Sequence, residues 1–373
     1  MHMKILQIIP ELNKGGAERL VIDVCQELQQ REGIEVCLVV FRTNNAYALF
    51  SKELDIQVVP SRVVPSMTKR IVIEVGELQQ LIDTFQPDVI HSHLFETEMV
   101  LSQVNCGKAL RVMHFHDNMS QLEMFRFRTL LSKKALTNWY ERNIVLAHWQ
   151  RSVHRIALSI SRDTTSYAQR VLTKGECVHQ LLNGILVDRF TRREPYSEAT
   201  LNLCMIGSLV PKKGQELAIR AVAALHEMGH PFHLYLLGDG PMRTELEGLT
   251  NDLTIGNFVH FEGNVDHPET YLHQSFAYLH TASYEPLGLV LLEAMAAGVP
   301  IICTDGRGNR DLITHGKNGI WIDQRDPQLI AKALLDLSAD PIRVERIRQS
   351  GLDFVKQFDI PGYVDRLLEI YRL

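Results

Sequence analysis

Two glutamates eight positions apart, Glu285 and Glu293, stand in the apolar run EPLGLVLLEAMAAGVP. Ionisable side chains rarely enter such a run unless something pairs with them. A carboxylate can accept paired hydrogen bonds from vicinal hydroxyls, as on ribose or a sugar ring. Good helix formers run from Leu289 to Ala297, Gly298 supplies a stop, and Pro300 follows. Glu285 is therefore expected in the loop before a helix, and Glu293 a turn or more inside it. The backbone amides of Leu287, Gly288 and Leu289 would face an anion at the helix N-terminus.

Other segments could serve the same pocket. Gly207–Gly214, GSLVPKKG, follows an apolar run, and its Lys213 could neutralise a diphosphate. It lacks the GxxxxGK[ST] spacing of a Walker loop. Gly238-Asp-Gly-Pro241 also joins a strand to a helix, and alone reads as a turn. Gly15–Gly16 occupies the corresponding place near the start, with no GxGxxG behind it to signal a dinucleotide. His91, His93, His114 and His116 fall at two strand ends, where single histidines are mostly structural. His116, followed by Asp117, is the preferred catalytic candidate. No carboxylate or cysteine motif accompanies the H-x-H pairs, and no DxD loop stands out, so no metal is expected.

These residues need elements to hold them. At 373 residues the chain exceeds the size at which one core usually stops growing. Short apolar runs alternate with helical segments: Lys4–Ile9, Ile34–Phe41, Ile56–Pro60, Asp88–His91, Leu110–Phe115 and His154–Ile160, with helices at Ala17–Arg31 and Val75–Phe85. The pattern restarts at Leu201 and continues to a final helix over Pro361–Leu373. Such alternation implies doubly wound parallel sheets. Ligands would bind at the carboxyl ends of the strands, in a central cleft. The polar stretch from Asp188 to Thr200 is the expected linker.

A net charge of −5 gives no global attraction to nucleic acid. Between Met124 and Ala157, however, seven Lys/Arg face one acid, Glu141. That stretch also carries Trp139, Tyr140 and Trp149. It reads as an ordinary helix or, more sharply, as a contact for an anionic membrane surface. Six scattered cysteines without CxxC spacing, and a short, early-broken first strand, point to a cytoplasmic chain.

Together these residues resemble the retaining GT-B glycosyltransferases of the large family 4 type, over essentially the whole chain. The likeness rests on Gly15-Gly-Ala-Glu-Arg19, Asn183-Gly-Ile185, the Gly207…Lys213-Gly214 loop, Gly238-Asp-Gly-Pro241 and the E-x7-E element. It implies two Rossmann-like domains: 1–187 for the acceptor, 201–358 for the nucleotide sugar, a linker at 188–200, and a helix at 359–373 crossing back to the first. Lys213 would meet the donor diphosphate, Glu293 its ribose and Glu285 the moving sugar. Leu287, Gly288 and Leu289 would lie at the phosphate, Gly15 and Gly16 near the donor, and His116 near the reacting carbon.

Many members carry Arg where this chain has Ser208. Lys213 would then bear more of the phosphate charge, with Ser208, Arg243 or Arg307 as further contacts. The implied reaction moves a hexose-type sugar from a UDP- or GDP-sugar to a glycan or lipid-linked hydroxyl, without a metal. The setting would be cell-surface polysaccharide or glycolipid assembly at the inner membrane face. The alternatives are a nucleotide-sugar epimerase of the same fold and a silent nucleotide-sugar-binding protein.

Overall fold

The computed structural model describes residues 2–64, 72–123, 132–172, 175–191 and 201–373. The chain divides into two compact units. Met1–Asn183 and Ile360–Leu373 form the first, and Gly184–Asp359 the second.

The first unit is a seven-stranded sheet. Its chain begins β1 (Met3–Ile9), β2 (Ile34–Val40) and β3 (Ile56–Val58), then a small antiparallel ribbon of β4 (Arg62–Val64) and β5 (Val72–Glu74). It continues through β6 (Val89–His93), β7 (Leu110–Phe115), β8 (Arg155–Ser159) and β9 (Val178–Gln180). The order β3-β2-β1-β6-β7-β8-β9 is parallel throughout. Strand order reverses between β1 and β6, which opens a crevice at their carboxyl ends. Core residues such as Leu6, Ile8, Ile90 and Val100 fill one cluster, and Ile9, Ile22 and Val40 another.

The second unit has six parallel strands: β10 (Asn202–Ile206), β11 (His233–Leu237), β12 (Val259–Gly263), β13 (Ala277–His280), β14 (Ile301–Thr304) and β15 (Ile320–Ile322). Their order is β12-β11-β10-β13-β14-β15, with the reversal between β10 and β13.

Three features differ in detail from the sequence reading. The compact units divide after Asn183, somewhat before the expected linker at 188–200. Residues 184–191 are tied to the second unit, since Ile185 N–H donates to Phe358 O at 2.9 Å and Arg189 pairs with Glu269 at 3.2 Å. The rest of that linker, 192–200, lies outside the described residues, as do 124–131 of the basic stretch. Second, β6 runs on to His93, because its histidines interrupt the apolar run without ending the strand. Third, the basic stretch is less of a surface than it reads. Trp149 is fully buried and donates to Glu176, Arg155 pairs with the same carboxylate at 2.7 Å, and Arg142 bonds Leu122 O. Lys133, Lys134 and Trp139 remain exposed on the helix Lys133–Arg151. Among the described residues no helix is long and apolar enough to cross a membrane.

One buried ion pair braces β6 and β7. Arg111 on β7 donates to Glu98 at 3.1 Å, with both side chains almost wholly enclosed. Ser92 on β6 donates to the other Glu98 oxygen, and Arg111 also reaches His148 Nδ1 at 3.3 Å. Breaking such a pair strands a charge in low dielectric. Glu98→Ala is therefore expected to lower the unfolding free energy by roughly 3–5 kcal/mol in urea denaturation. Glu96→Ala, which removes an exposed partner of Arg42, should change it by less than about 1 kcal/mol.

Candidate functional site

The second unit gathers the sequence candidates at the carboxyl ends of β10, β13 and β14. Lys213 sits in a 3-10 turn, Pro211–Lys213, which Gly214 closes in the left-handed conformation at φ +73°. A Cβ on Gly214 would lie 2.1 Å from Thr281 O, so only glycine fits against the end of β13. Thr281 Oγ1 donates to Gly214 O at 2.7 Å, locking the loop in place. Gly238 approaches as closely, since its Cβ would fall 2.2 Å from Gly207 O. Glycine packing thus fixes the floor beneath Lys213.

Glu285 is held from the other side. Its N–H donates to Gly306 O at 2.8 Å, and its carbonyl accepts from Gly308 N–H at 3.0 Å. These bonds pin the loop before the helix Leu289–Ala296 to the end of β14. Lys213 Nζ lies 2.5 Å from Glu285 Oε2, and His280 Nε2 is 3.8 Å from the same oxygen. Burial pushes the Glu285 carboxyl up, but the charges of Lys213 and, more weakly, Lys212 hold it below its usual value. Burial holds His280 down at about 4, so it is neutral at pH 7. Glu285 is thus an enclosed carboxylate whose main counter-ion is one lysine.

The helix Leu289–Ala296 begins at Gly288, in the left-handed conformation, with no side chain capping it. Glu285 Cγ passes 3.2 Å from where a Gly288 Cβ would stand. The N–H groups at the helix start, the Lys213 ammonium and the Glu285 carboxylate therefore share one neighbourhood. Glu293 lies in the second turn and is half-buried. Together they offer positive potential for a diphosphate and carboxylates for hydroxyls.

Other expected contacts are distributed differently. Ser208 is exposed and its carbonyl accepts from Gln215. Arg243 is already engaged, donating to Glu247 at 2.8 Å and to Phe261 O at 3.2 Å. Arg307 holds a positive φ of 73° beside Glu285, with its guanidinium 5.8 Å from the Tyr284 ring; Lys212 Nζ is 6.0 Å from that ring. Sequence reasoning missed His280, Thr281 and Arg325, which donates to Thr281 O at 2.8 Å. His280, polar at the end of a buried strand five residues before Glu285, was the available signal.

In the first unit, Gly15 precedes the helix Gly16–Gln29, and its N–H donates to Tyr47 Oη at 3.0 Å. Gly16 is exposed at that helix start. His91, His93, His114 and His116 are all buried on one face of β6 and β7. His91 Nε2 lies 3.1 Å from His114 Nδ1, and His93 Nδ1 lies 2.7 Å from His116 Nε2. Gln7 on β1 and Tyr371 on the last helix, Ile360–Tyr371, complete the cluster. His91, His93 and His114 each bring a ring nitrogen within 4.8 Å of the others, close enough to share a metal ion. As they stand, those rings bond one another, His116, Gln7 and Tyr371, and His114 Nε2 has no partner among the described residues.

Residues 188–353 match the family described as Glycosyl transferases group 1, and residues 14–189 match Glycosyltransferase Family 4. A lipopolysaccharide core biosynthesis glycosyltransferase, LpsE of Rhizobium meliloti, is 32% identical over 50% of this chain and 53% of its own. A GDP-mannose-dependent alpha-(1-6)-phosphatidylinositol monomannoside mannosyltransferase of Mycobacterium tuberculosis is 29% identical over 46% and 49%. The chain thus spans about half the length of these curated relatives. The crystal structure of Anabaena HepE in complex with UDP-glucose superposes with a TM-score of 0.79, at 20% identity over the whole of both chains. That likeness gives the fold: two Rossmann-like domains of the GT-B class.

The buried histidines set a pH dependence. Burial holds His116 at about 3 and pushes the other three well down. In the unfolded chain they protonate near 6.5. Below about pH 6.5 the unfolded state binds more protons, so stability is fully present above that pH and lost as pH falls. Urea unfolding from pH 7 to 5 should show this loss. In His114→Gln the slope should be shallower by up to about 1.4 kcal/mol per pH unit, one proton's worth.

Proposed function

The chain belongs to the group 1 and family 4 glycosyltransferases, and on that premise we propose that it moves a hexose-type sugar from a nucleoside diphosphate to an acceptor hydroxyl, with retention at the anomeric carbon. The observation that carries this reading is the Lys213–Glu285 pair beside the uncapped helix start at Gly288. Lys213 spends one of its three donors on Glu285, which leaves the others for the leaving diphosphate. The amides of Leu287, Gly288 and Leu289 add to that stabilisation as charge leaves the sugar. Glu293 takes the ribose hydroxyls and Glu285 those of the moving sugar.

The bond from the anomeric carbon to phosphate oxygen breaks, and its electron pair leaves with the diphosphate. The acceptor oxygen bonds to the same face of that carbon and its proton passes to the departing phosphate. This route suits a site whose charged groups can serve the leaving group, and it needs no covalent sugar–enzyme intermediate. The matches to proteins named for lipopolysaccharide core and phosphatidylinositol mannoside synthesis support a glycan or glycolipid acceptor.

A thermal-shift screen over UDP-, GDP- and ADP-sugars should reveal the donor, because a ligand bound to the native state raises the melting temperature. With that donor, Lys213→Ala and Glu293→Ala should each reduce kcat/KM about a hundredfold; Glu293→Ala should change the melting temperature little, whereas Lys213→Ala, which strands the enclosed Glu285 carboxylate, should lower it. Proton NMR of the product should show the donor's anomeric configuration. Full activity in both variants would sink the site assignment, and a new sugar nucleotide made without acceptor would indicate an epimerase.

A further inference from the structure

The four buried histidines of the first unit form a directional hydrogen-bond network. Its sense follows from which groups carry protons. The Gln7 amide oxygen can only accept, so the 2.8 Å contact with His93 Nε2 requires a proton on that nitrogen. A neutral imidazole has one N–H, which leaves His93 Nδ1 bare. The 2.7 Å contact between His93 Nδ1 and His116 Nε2 then takes its proton from His116. Neutral His116 is left with a bare Nδ1, buried and bonded by no described residue.

A second row leaves from the same amide. Gln7 Nε2 donates to Tyr371 Oη at 3.1 Å, and that hydroxyl lies 2.6 Å from His91 Nδ1. Tyr371 Oη, which accepts from Gln7, thus joins the amide to His91 Nδ1, and His91 Nε2 lies 3.1 Å from His114 Nδ1. One amide therefore sets the first row and joins it to the second, and its orientation is held by a tyrosine 364 positions away, on the last helix. A buried polar atom without a partner is costly unless a ligand completes it. His116 Nδ1 is such an atom, and His114 Nε2 at the end of the second row is another.

We propose that Gln7, His93 and Tyr371 are positioning residues that hold His116 in its Nε2–H tautomer, presenting bare Nδ1 as the acceptor for a hydroxyl of the bound sugar or acceptor. This inference rests on the reading of His116 as a site residue. The substrate group it selects is a hydrogen-bond donor, and a substrate with an ether oxygen there is disfavoured.

The test combines nitrogen-15 NMR of the histidine rings with kinetics on the donor identified by the thermal-shift screen. In the wild type, His116 should show a protonated Nε2 and an unprotonated Nδ1. Gln7→Leu, and the milder Tyr371→Phe, should mix the tautomers and lower kcat about fivefold, the worth of one net hydrogen bond, with KM for the donor unchanged. The donor-induced thermal shift verifies that each variant is folded. A protonated Nδ1 on wild-type His116 would overturn the proposal. An inactive His116→Ala, with Gln7→Leu and Tyr371→Phe matching wild type in spectrum and kcat, would overturn it while leaving the role of His116 standing. Full activity in His116→Ala would remove that role itself.

Discussion

The buried contact between Lys213 and Glu285 organises the second unit's site. Two charges in so enclosed a place repay their desolvation only when geometry and surroundings are well matched. The surroundings here are backbone. Gly214 and Gly238 bring the Lys213 loop down onto Thr281 and Gly207, and the 306–308 loop clamps Glu285 from both its N–H and its carbonyl. Neutral His280 lines the same oxygen without competing for it as a second cation. The lysine keeps the carboxylate ionised, and the carboxylate keeps the lysine beside the helix start.

The first unit uses a different economy. Its polar groups are neutral imidazoles, an amide and a phenol bonded to one another in a net that leaves His116 Nδ1 and His114 Nε2 without a partner among the described residues. Burial there suppresses charge, and direction is encoded in which nitrogen holds the proton. Beneath the net, Arg111 and Glu98 hold β6 and β7 together, so the carriers of the four histidines cannot easily shift. One unit therefore holds charge ready for an anion, while the other holds oriented lone pairs and N–H groups.

Much of this was legible in the sequence because it is local. Apolar periodicity located most strands, and the helix carrying Glu293 begins at Leu289, where the helix formers begin. The Lys213 loop and E-x7-E element announce themselves by spacing, since both lie at single strand–helix junctions. What escaped depends on topology. Gln7 and Tyr371 meet because β1 is central and the last helix returns to the first unit, which no nearby residue reveals. The Arg243 guanidinium read as a phosphate contact, yet its helix neighbour Glu247 and the Phe261 carbonyl already hold it. Residues 184–191 read as the approach to a linker, but their hydrogen bonds run to segments far along the chain.

The central claim is that Lys213 keeps Glu285 ionised within an enclosed site. Carbon-13 NMR of the Glu285 side-chain carboxyl, followed through a pH titration in wild type and in Lys213→Met, reads this directly. With the lysine present the midpoint should lie below the ordinary glutamate value. Without it, burial should dominate and carry the midpoint upward. The same midpoint in both proteins would contradict the claim.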